Sequence, residues 1–542
     1  MTALSSMHPG FQRSNARWRA RLLEQLPDAI AQELAGELER IEDYRTGNVR
    51  LATTNRALRQ SRVTLAFDEQ KIRDYAENYA RLAGRIPQLE QRAAFAQYLG
   101  VDPPQLKRDG VTLEGALLRL EDPLWWRRKL RATWTRATEN TQRDLGMIRR
   151  GRQVYASDEA VRHRAARKAR MREFLKAHEM VSEEDERLDL EQLAEHSLSN
   201  PVLRRGEFMA RLRGFEEYAQ KRGHQALFFT LTTPSAFHAQ LSAAGGNPRF
   251  EHKTIREAQQ WLSQTWARVR ARLQRQRALV YGFRIAEPHH DGTPHWHGIL
   301  FVRQQQMGLV RDVIAAAALK TYGDEPGAAL HRTDFETVDP AKGSAAGYLA
   351  KYVSKNIDGK GAIENERSDE SGDTVAAGIE RVAAWASTHG IRQFQQIGGP
   401  PAGLYREVRR LRSRVEDPDI ERARAFADAG RVCKFIECVG GVDVGRRTNL
   451  RLERADTGAL NRYQEARCAA IVGVRCTSRV ELTRPHAWRL AKKCGRFSLS
   501  RSGSSSRLGP VAITVRGAAA GGEPAAWTNP NETSQAGPRG RK

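Results

Sequence analysis

The chain has 542 residues, 40% of them hydrophobic, which is enough for roughly two to four domains with cores of their own. No stretch of about 18 apolar residues occurs, which excludes a membrane-spanning helix, and the first twenty residues lack a signal-peptide core, so a cytoplasmic location is expected. A formal charge of +25 and an isoelectric point near 10.3 favour a polyanionic partner, nucleic acid first; a generally basic proteome is the other source of such a charge.

Residues 1–200 read as mostly helical, as in the segment from Trp18 to Leu26 and the long run from Leu124 to His178. Between Arg127 and Glu173 there are 15 Arg or Lys against 5 Asp or Glu, beside Trp125, Trp126 and Trp134. The arginines suit a DNA-facing surface, with a solvated helix face as the alternative. The tryptophans suit a helical core, with aromatic anchors for DNA as the alternative.

The pattern changes near residue 225. Ala226–Thr233 reads as a strand ended by Pro234, and Ile255–Gln276 as an amphipathic helix. Leu279–Glu287 and His295–Arg303 read as two strands joined through an Asp-Gly turn. Helices are predicted over 309–322 and from about Ala345 to Asn356, and Glu364–Thr374 as a loop. After Arg412 periodicity weakens, and beyond Gly495 the chain is rich in Ser, Gly, Ala and Pro, the composition of a disordered basic tail. The five cysteines (Cys433, Cys438, Cys468, Cys476, Cys494) lie in the last quarter and are odd in number. Free thiols are expected; Cys433 and Cys438 lack the second close pair that a zinc site would need.

The fold class is therefore α+β, an antiparallel sheet flanked by helices with a mostly helical N-terminal region. The expected division is 1–110 helical, 111–205 basic and helical, 206–411 the mixed domain, 412–495 a small C-terminal region and 496–542 the tail.

Two patterns in the mixed domain carry chemistry. In His295-Trp296-His297 a strand would point both histidines to one face. If 288–294 form the whole loop, Glu287 lies opposite His295, Ile285 opposite His297, Phe283 opposite Ile299 and Tyr281 opposite Phe301. That face would carry a carboxylate and two imidazoles above an apolar strip, a donor set suited to Mg²⁺ or Mn²⁺ when phosphate adds further oxygens. His289 and His290 in the turn are alternative ligands. Two surface histidines at a strand start would give the same H-x-H pattern.

The second pattern is Gly347–Lys355. At 3.6 residues per turn Tyr348, Lys351, Tyr352 and Lys355 form one stripe, while Leu349, Val353 and Ile357 form an apolar face that could dock on the sheet. Half-buried core tyrosines with snorkelling lysines would look the same in sequence. Together the two patterns suit nucleophilic attack on a DNA phosphate: lysines favour the phenolate, and a metal stabilises charge on the phosphate. The product would be a covalent tyrosyl-phosphate.

These residues resemble the HUH endonucleases, and within them the replication gene A proteins of tailed phages and prophages. The metal motif of that superfamily matches His295-Trp296-His297, and its double-tyrosine motif matches Tyr348, Lys351, Tyr352 and Lys355. The tyrosines follow the histidines, as in replication initiators. Phe228–His238 is similar to an upstream strand motif, and the segments 123–128, 200–209 and 392–407 resemble gene A proteins as well; the likeness extends over about residues 115–490.

The resemblance implies an HUH-type nuclease domain that nicks single-stranded or supercoiled DNA at a replication origin. One tyrosine keeps the 5′-phosphate, a host polymerase extends the free 3′-hydroxyl beside a host helicase, and the second tyrosine closes the circle. Rival readings are a mobile-element transposase or mobilisation nickase of the same chemistry, a DNA-binding protein with a decayed site, and a zinc hydrolase. The last lacks a third His or Cys ligand in pattern.

Overall fold

Alternating apolar residues build the central sheet of the computed structural model, which describes residues 8–60, 69–106, 110–241, 245–339, 341, 343–357, 375–443, 448–456, 458–477 and 479–493. Among them are eleven strands: β1 (His178–Ser182), β2 (Arg187–Asp189), β3 (His224–Leu231), β4 (Val280–Pro288), β5 (Pro294–Arg303), β6 (Thr333–Thr337), β7 (Phe394–Ile397), β8 (Leu450–Ala455), β9 (Ala470–Cys476), β10 (Arg479–Leu482) and β11 (Trp488–Lys492). The central sheet is antiparallel throughout, in the order β6-β3-β5-β4-β7. The mixed helix and sheet architecture expected from the sequence is present.

Both faces of this sheet are covered because both parities of its strands are apolar. One face presents Phe228, Phe283, Ile285 and Ile299 to the helices Pro201–Lys221 and Ala345–Ile357. The other presents Phe229, Trp296 and Leu300 to the helices Ile255–Arg275 and Met307–Ala318 and to Trp385. Gly298, which follows His297 on β5, has no room for a side chain: a Cβ there would lie 2.3 Å from the Phe229 ring, which stacks on Trp266. The helix Ile255–Arg275 begins at a capping box in which Thr254 and Glu257 satisfy each other's backbone N–H groups.

The N-terminal helices bury Trp125, Trp126 and Trp134 with Ile72, Ala80 and Leu120, so the tryptophans belong to a core. The long helical run expected over Leu124–His178 is two helices, Pro123–Asp144 and Asp158–Ala177. The first ends before Gly146, whose φ of +69° a helix cannot hold, and the second starts at a Ser157 cap. The expectation of mostly helix up to residue 200 also missed β1 and β2. They are short, and β1 is held by β11 from the far end of the chain.

Beyond Arg412 the weak periodicity hides two helices, Pro418–Asp428 and Val432–Cys438, and the three-stranded sheet β10-β9-β8. Cys433, Cys438, Cys468 and Cys476 are free. The expected loop at 364–374, the tail 496–542 and Cys494 lie outside the described residues. Among the described residues no helix is long and apolar enough to cross a membrane.

Candidate active site

The hairpin β4–β5 places the site. Its register pairs Glu287 with His295, Ile285 with His297, Phe283 with Ile299 and Tyr281 with Phe301, as the sequence parity predicts. The turn closes through His289 N–H to the Thr293 carbonyl (2.8 Å), with Gly292 at φ +80°. Trp296 points the other way and is 1% exposed in the opposite core. Burying Trp296 therefore fixes which face receives the two histidines.

Glu287, His295 and His297 each offer a ligand atom, and these atoms lie within 4.8 Å of one another. The two Nε2 atoms face each other at 2.7 Å, and Glu287 Oε2 is 3.7 Å from His297 Nε2. Burial, then the neighbouring His289 and His297, hold His295 well below the usual histidine range, so its imidazole is neutral and has a lone pair to give. Thr230 Oγ1 lies 3.0 Å from His297 Nδ1 and fixes the ring with Nε2 turned to the cluster. A carboxylate and two imidazoles converging in this way fit a divalent cation. His289 and His290 are not part of this cluster. His289 packs against His295 with ring centres 4.0 Å apart and the rings tilted by 33°, and burial, then His238, lowers its pKa to about 3.

The helix Ala345–Ile357 lies across the same face. Leu349 and Val353 are buried under it, and the backbone N–H groups of Ala345 and Ala346 donate to Glu216 on the helix Pro201–Lys221. This docking directs the tyrosine stripe at the cluster. Tyr352 is half-buried, its ring 4.4 Å from that of His297 and stacked on Phe228 at 5.6 Å. Burial, then the Glu287 carboxylate, raises the Tyr352 phenol to about 12. Tyr348 stands one turn away, 36% exposed, 5.5 Å from Phe228. Its hydroxyl donates to Glu336 on β6, and that bond raises its pKa. Lys351 and Lys355 lie on this helix, but their side chains fall outside the described residues.

Phe228 and Thr230 lie in the strand segment likened to a family motif but were given no role from sequence, and Glu336 was not singled out at all. The first two follow from extending the two-residue period of β3: Phe228 pairs with Ile299 and Thr230 with His297. Glu336 had no such signal, because β6 is short and reaches the site only by pairing with β3.

The arginines of 127–173 divide between two roles. Arg127 and Arg131 hold Glu69, Arg152 holds Glu33, Arg164 holds Glu380, and Arg143 is wholly buried. These are internal ties rather than open surface, which corrects the DNA-facing reading for these five arginines. Arg162, Arg170 and Arg172 remain exposed on the helix Asp158–Ala177.

Residues 52–360 match the family described as bacteriophage replication gene A protein (GPA), a range that contains every residue of the site. The chain is 39% identical over 375 residues to the replication gene A protein of Escherichia phage 186, covering 66% of this chain and 53% of that protein. It is 35% identical over 438 residues to the probable replication protein P12 of Pseudoalteromonas phage PM2, covering 78% of this chain and 67% of that one. A probable replication endonuclease from a prophage-like region of Salmonella paratyphi A is 35% identical over 390 residues, 67% of this chain and 48% of the other. The chain thus spans about half the length of two of these three relatives. No solved structure matches.

Proposed function

The chain belongs to the bacteriophage replication gene A protein family, and on that premise we propose that it is a site-specific single-strand DNA endonuclease of HUH type. It nicks a phage or prophage replication origin through a covalent 5′-phosphotyrosine and so starts rolling-circle replication. The observation that carries this reading is the 4.4 Å approach of the Tyr352 ring to His297, within a cluster of two imidazoles and a carboxylate. A packing tyrosine needs no ligand cluster beside it, and a structural metal site needs no tyrosine helix laid over it.

Glu287, His295 and His297 hold a divalent cation, Mg²⁺ or Mn²⁺, in this reading. When bound, the ion supplies charge stabilisation at the scissile phosphate. Thr230 keeps the His297 ring turned to its task. Tyr348 and Tyr352 are the two nucleophiles, and Lys351 and Lys355 on the same stripe position the phosphate. A spacing of four residues sets the two tyrosines about 5–6 Å apart at Cβ, close enough for each to serve one phosphate in turn. Exposed arginines of the helix Asp158–Ala177 supply contacts to the DNA backbone. A host helicase and a host polymerase are the partners that continue synthesis from the released 3′-hydroxyl, in the bacterial cytoplasm.

The test is a covalent adduct. Protein is incubated with single-stranded DNA of the replicon that encodes it, with Mg²⁺ or Mn²⁺, and resolved on a denaturing gel. A metal-dependent protein–DNA band is expected. Free nicked DNA without any adduct would replace the tyrosine nucleophile by water and overturn the proposal.

A further inference from the structure

The edge strand β6 brings two carboxylates to the face that holds the cluster. In an antiparallel sheet directly paired residues share a face. One row reads Glu336, Phe228, Ile299, Phe283; the next reads Asp334, Thr230, His297, Ile285. Glu336 is thus one row from His297, on the same side of the sheet. Above it the Tyr348 hydroxyl donates its hydrogen bond to Glu336 Oε1. The Phe228 ring lies between, 5.5 Å from Tyr348 and stacked 5.8 Å from His297. Tyr348 is therefore held at the site's mouth by a carboxylate that touches its reacting oxygen.

We propose that Glu336 is the proton acceptor for Tyr348 in strand transfer, a residue role that rests on the nicking activity proposed above. As the Tyr348 oxygen forms its bond to phosphorus, the phenolic proton passes to the Glu336 carboxylate. The P–O3′ bond breaks, its electron pair stays on the 3′-oxygen, and that oxygen takes a proton from water. In the reverse, rejoining direction the protonated Glu336 returns its proton to the departing phenol oxygen, as microscopic reversibility requires. A phenol is otherwise almost wholly protonated at neutral pH. The acceptor serves only one of the two nucleophiles, because Tyr352 sits a turn further along, against His297.

The experiment reads adduct formation in two backgrounds, with circular single-stranded DNA of the encoding replicon and Mn²⁺. In Tyr352→Phe only Tyr348 can react; in Tyr348→Phe only Tyr352 can. Glu336→Gln keeps the size of the side chain and can still accept the hydrogen bond, but does not take up the proton. It is expected to slow the Tyr348 adduct by on the order of 10²-fold or more and the Tyr352 adduct by less than about tenfold, with DNA binding unchanged. Glu336→Asp should restore part of the Tyr348 rate, which a merely structural role would not produce.

Equal slowing in both backgrounds would place Glu336 in the fold of the site and overturn the assignment. So would an unchanged Tyr348 rate, or absence of any Tyr348 adduct when Tyr352 forms one. If the unsubstituted protein forms no adduct at all, the nicking reading itself fails, which is a different result from these.

Discussion

Replacing Arg143 by methionine should destabilise the protein by about 3–5 kcal/mol, the usual cost of removing one partner from a buried ion pair. Arg143 lies in the last turn of the helix Pro123–Asp144 and is 0% exposed. Its guanidinium donates to the carbonyls of Phe237, Lys253 (2.8 Å) and Asp291 (3.1 Å) and to Thr293 Oγ1 (2.9 Å), and it faces the Asp291 carboxylate at 3.8 Å. Asp291, also 0% exposed, accepts from the backbone of Thr293 and Ala239.

Burial works against the Asp291 charge, but His238, Arg143 and the Thr293 N–H hold its pKa well below the usual carboxylate range. Methionine fills the space without a donor and leaves that charge with only His238, the Thr293 hydroxyl and two backbone N–H groups to offset it. At about 1.4 kcal/mol per factor of ten, the folding equilibrium should fall by about two to four orders of magnitude. The turn 289–293 joins Glu287 to His295, so Mn²⁺ affinity should fall as well. Urea denaturation followed by tryptophan fluorescence measures the first effect, and titration calorimetry the second. Asp291→Asn in the methionine background removes the stranded charge and should recover part of the loss. A loss below about 1 kcal/mol, or no recovery in the double variant, would refute this account of the turn.

Three further outcomes are expected. Tyr348→Phe and Tyr352→Phe should each retain some nicking but impair circle release, and only the double change should abolish the adduct on a denaturing gel; an adduct persisting in the double variant would dismiss both nucleophiles. Thr230→Val keeps the shape but loses the oxygen 3.0 Å from His297 Nδ1, so Mn²⁺ affinity should drop about 10–100-fold in calorimetry while the melting temperature barely moves. Unaltered affinity would mean that the His297 ring needs no such support. Burial, then the charges of Arg136, Arg143 and Arg256, lowers His389 to about 3. Its folded value lies below the unfolded one, so the associated stability is complete above about pH 6.5 and drains as pH falls, by up to about 1.4 kcal/mol per pH unit. His389→Leu should flatten the fall in melting temperature between pH 6.5 and 4, and an identical slope in both proteins would rule His389 out as its source.

Local pattern alone determined the heart of the site. Side-chain alternation in β4 and β5, with an Asp-Gly turn between them, sets Glu287 opposite His295 and turns His297 to the same side. The helical period sets Leu349 and Val353 apart from Tyr348 and Tyr352, and the former two are buried under the helix. Both are short-range relations, fixed by backbone geometry within a few residues.

What lay at long range was not legible. That the tyrosine helix crosses the histidine strand, so that Tyr352 meets His297, depends on the helix Pro201–Lys221 capping it through Glu216. Glu336 reaches Tyr348 only because β6 pairs with β3, and no period in residues 333–337 announces that pairing. Among the arginines of 127–173, composition could not separate Arg143, buried against carbonyls 94 to 148 residues away, from Arg170 in solvent. Charge is a property of the residue, whereas burial belongs to the neighbours that tertiary folding brings, and those neighbours decide whether an arginine ties the fold or meets a phosphate.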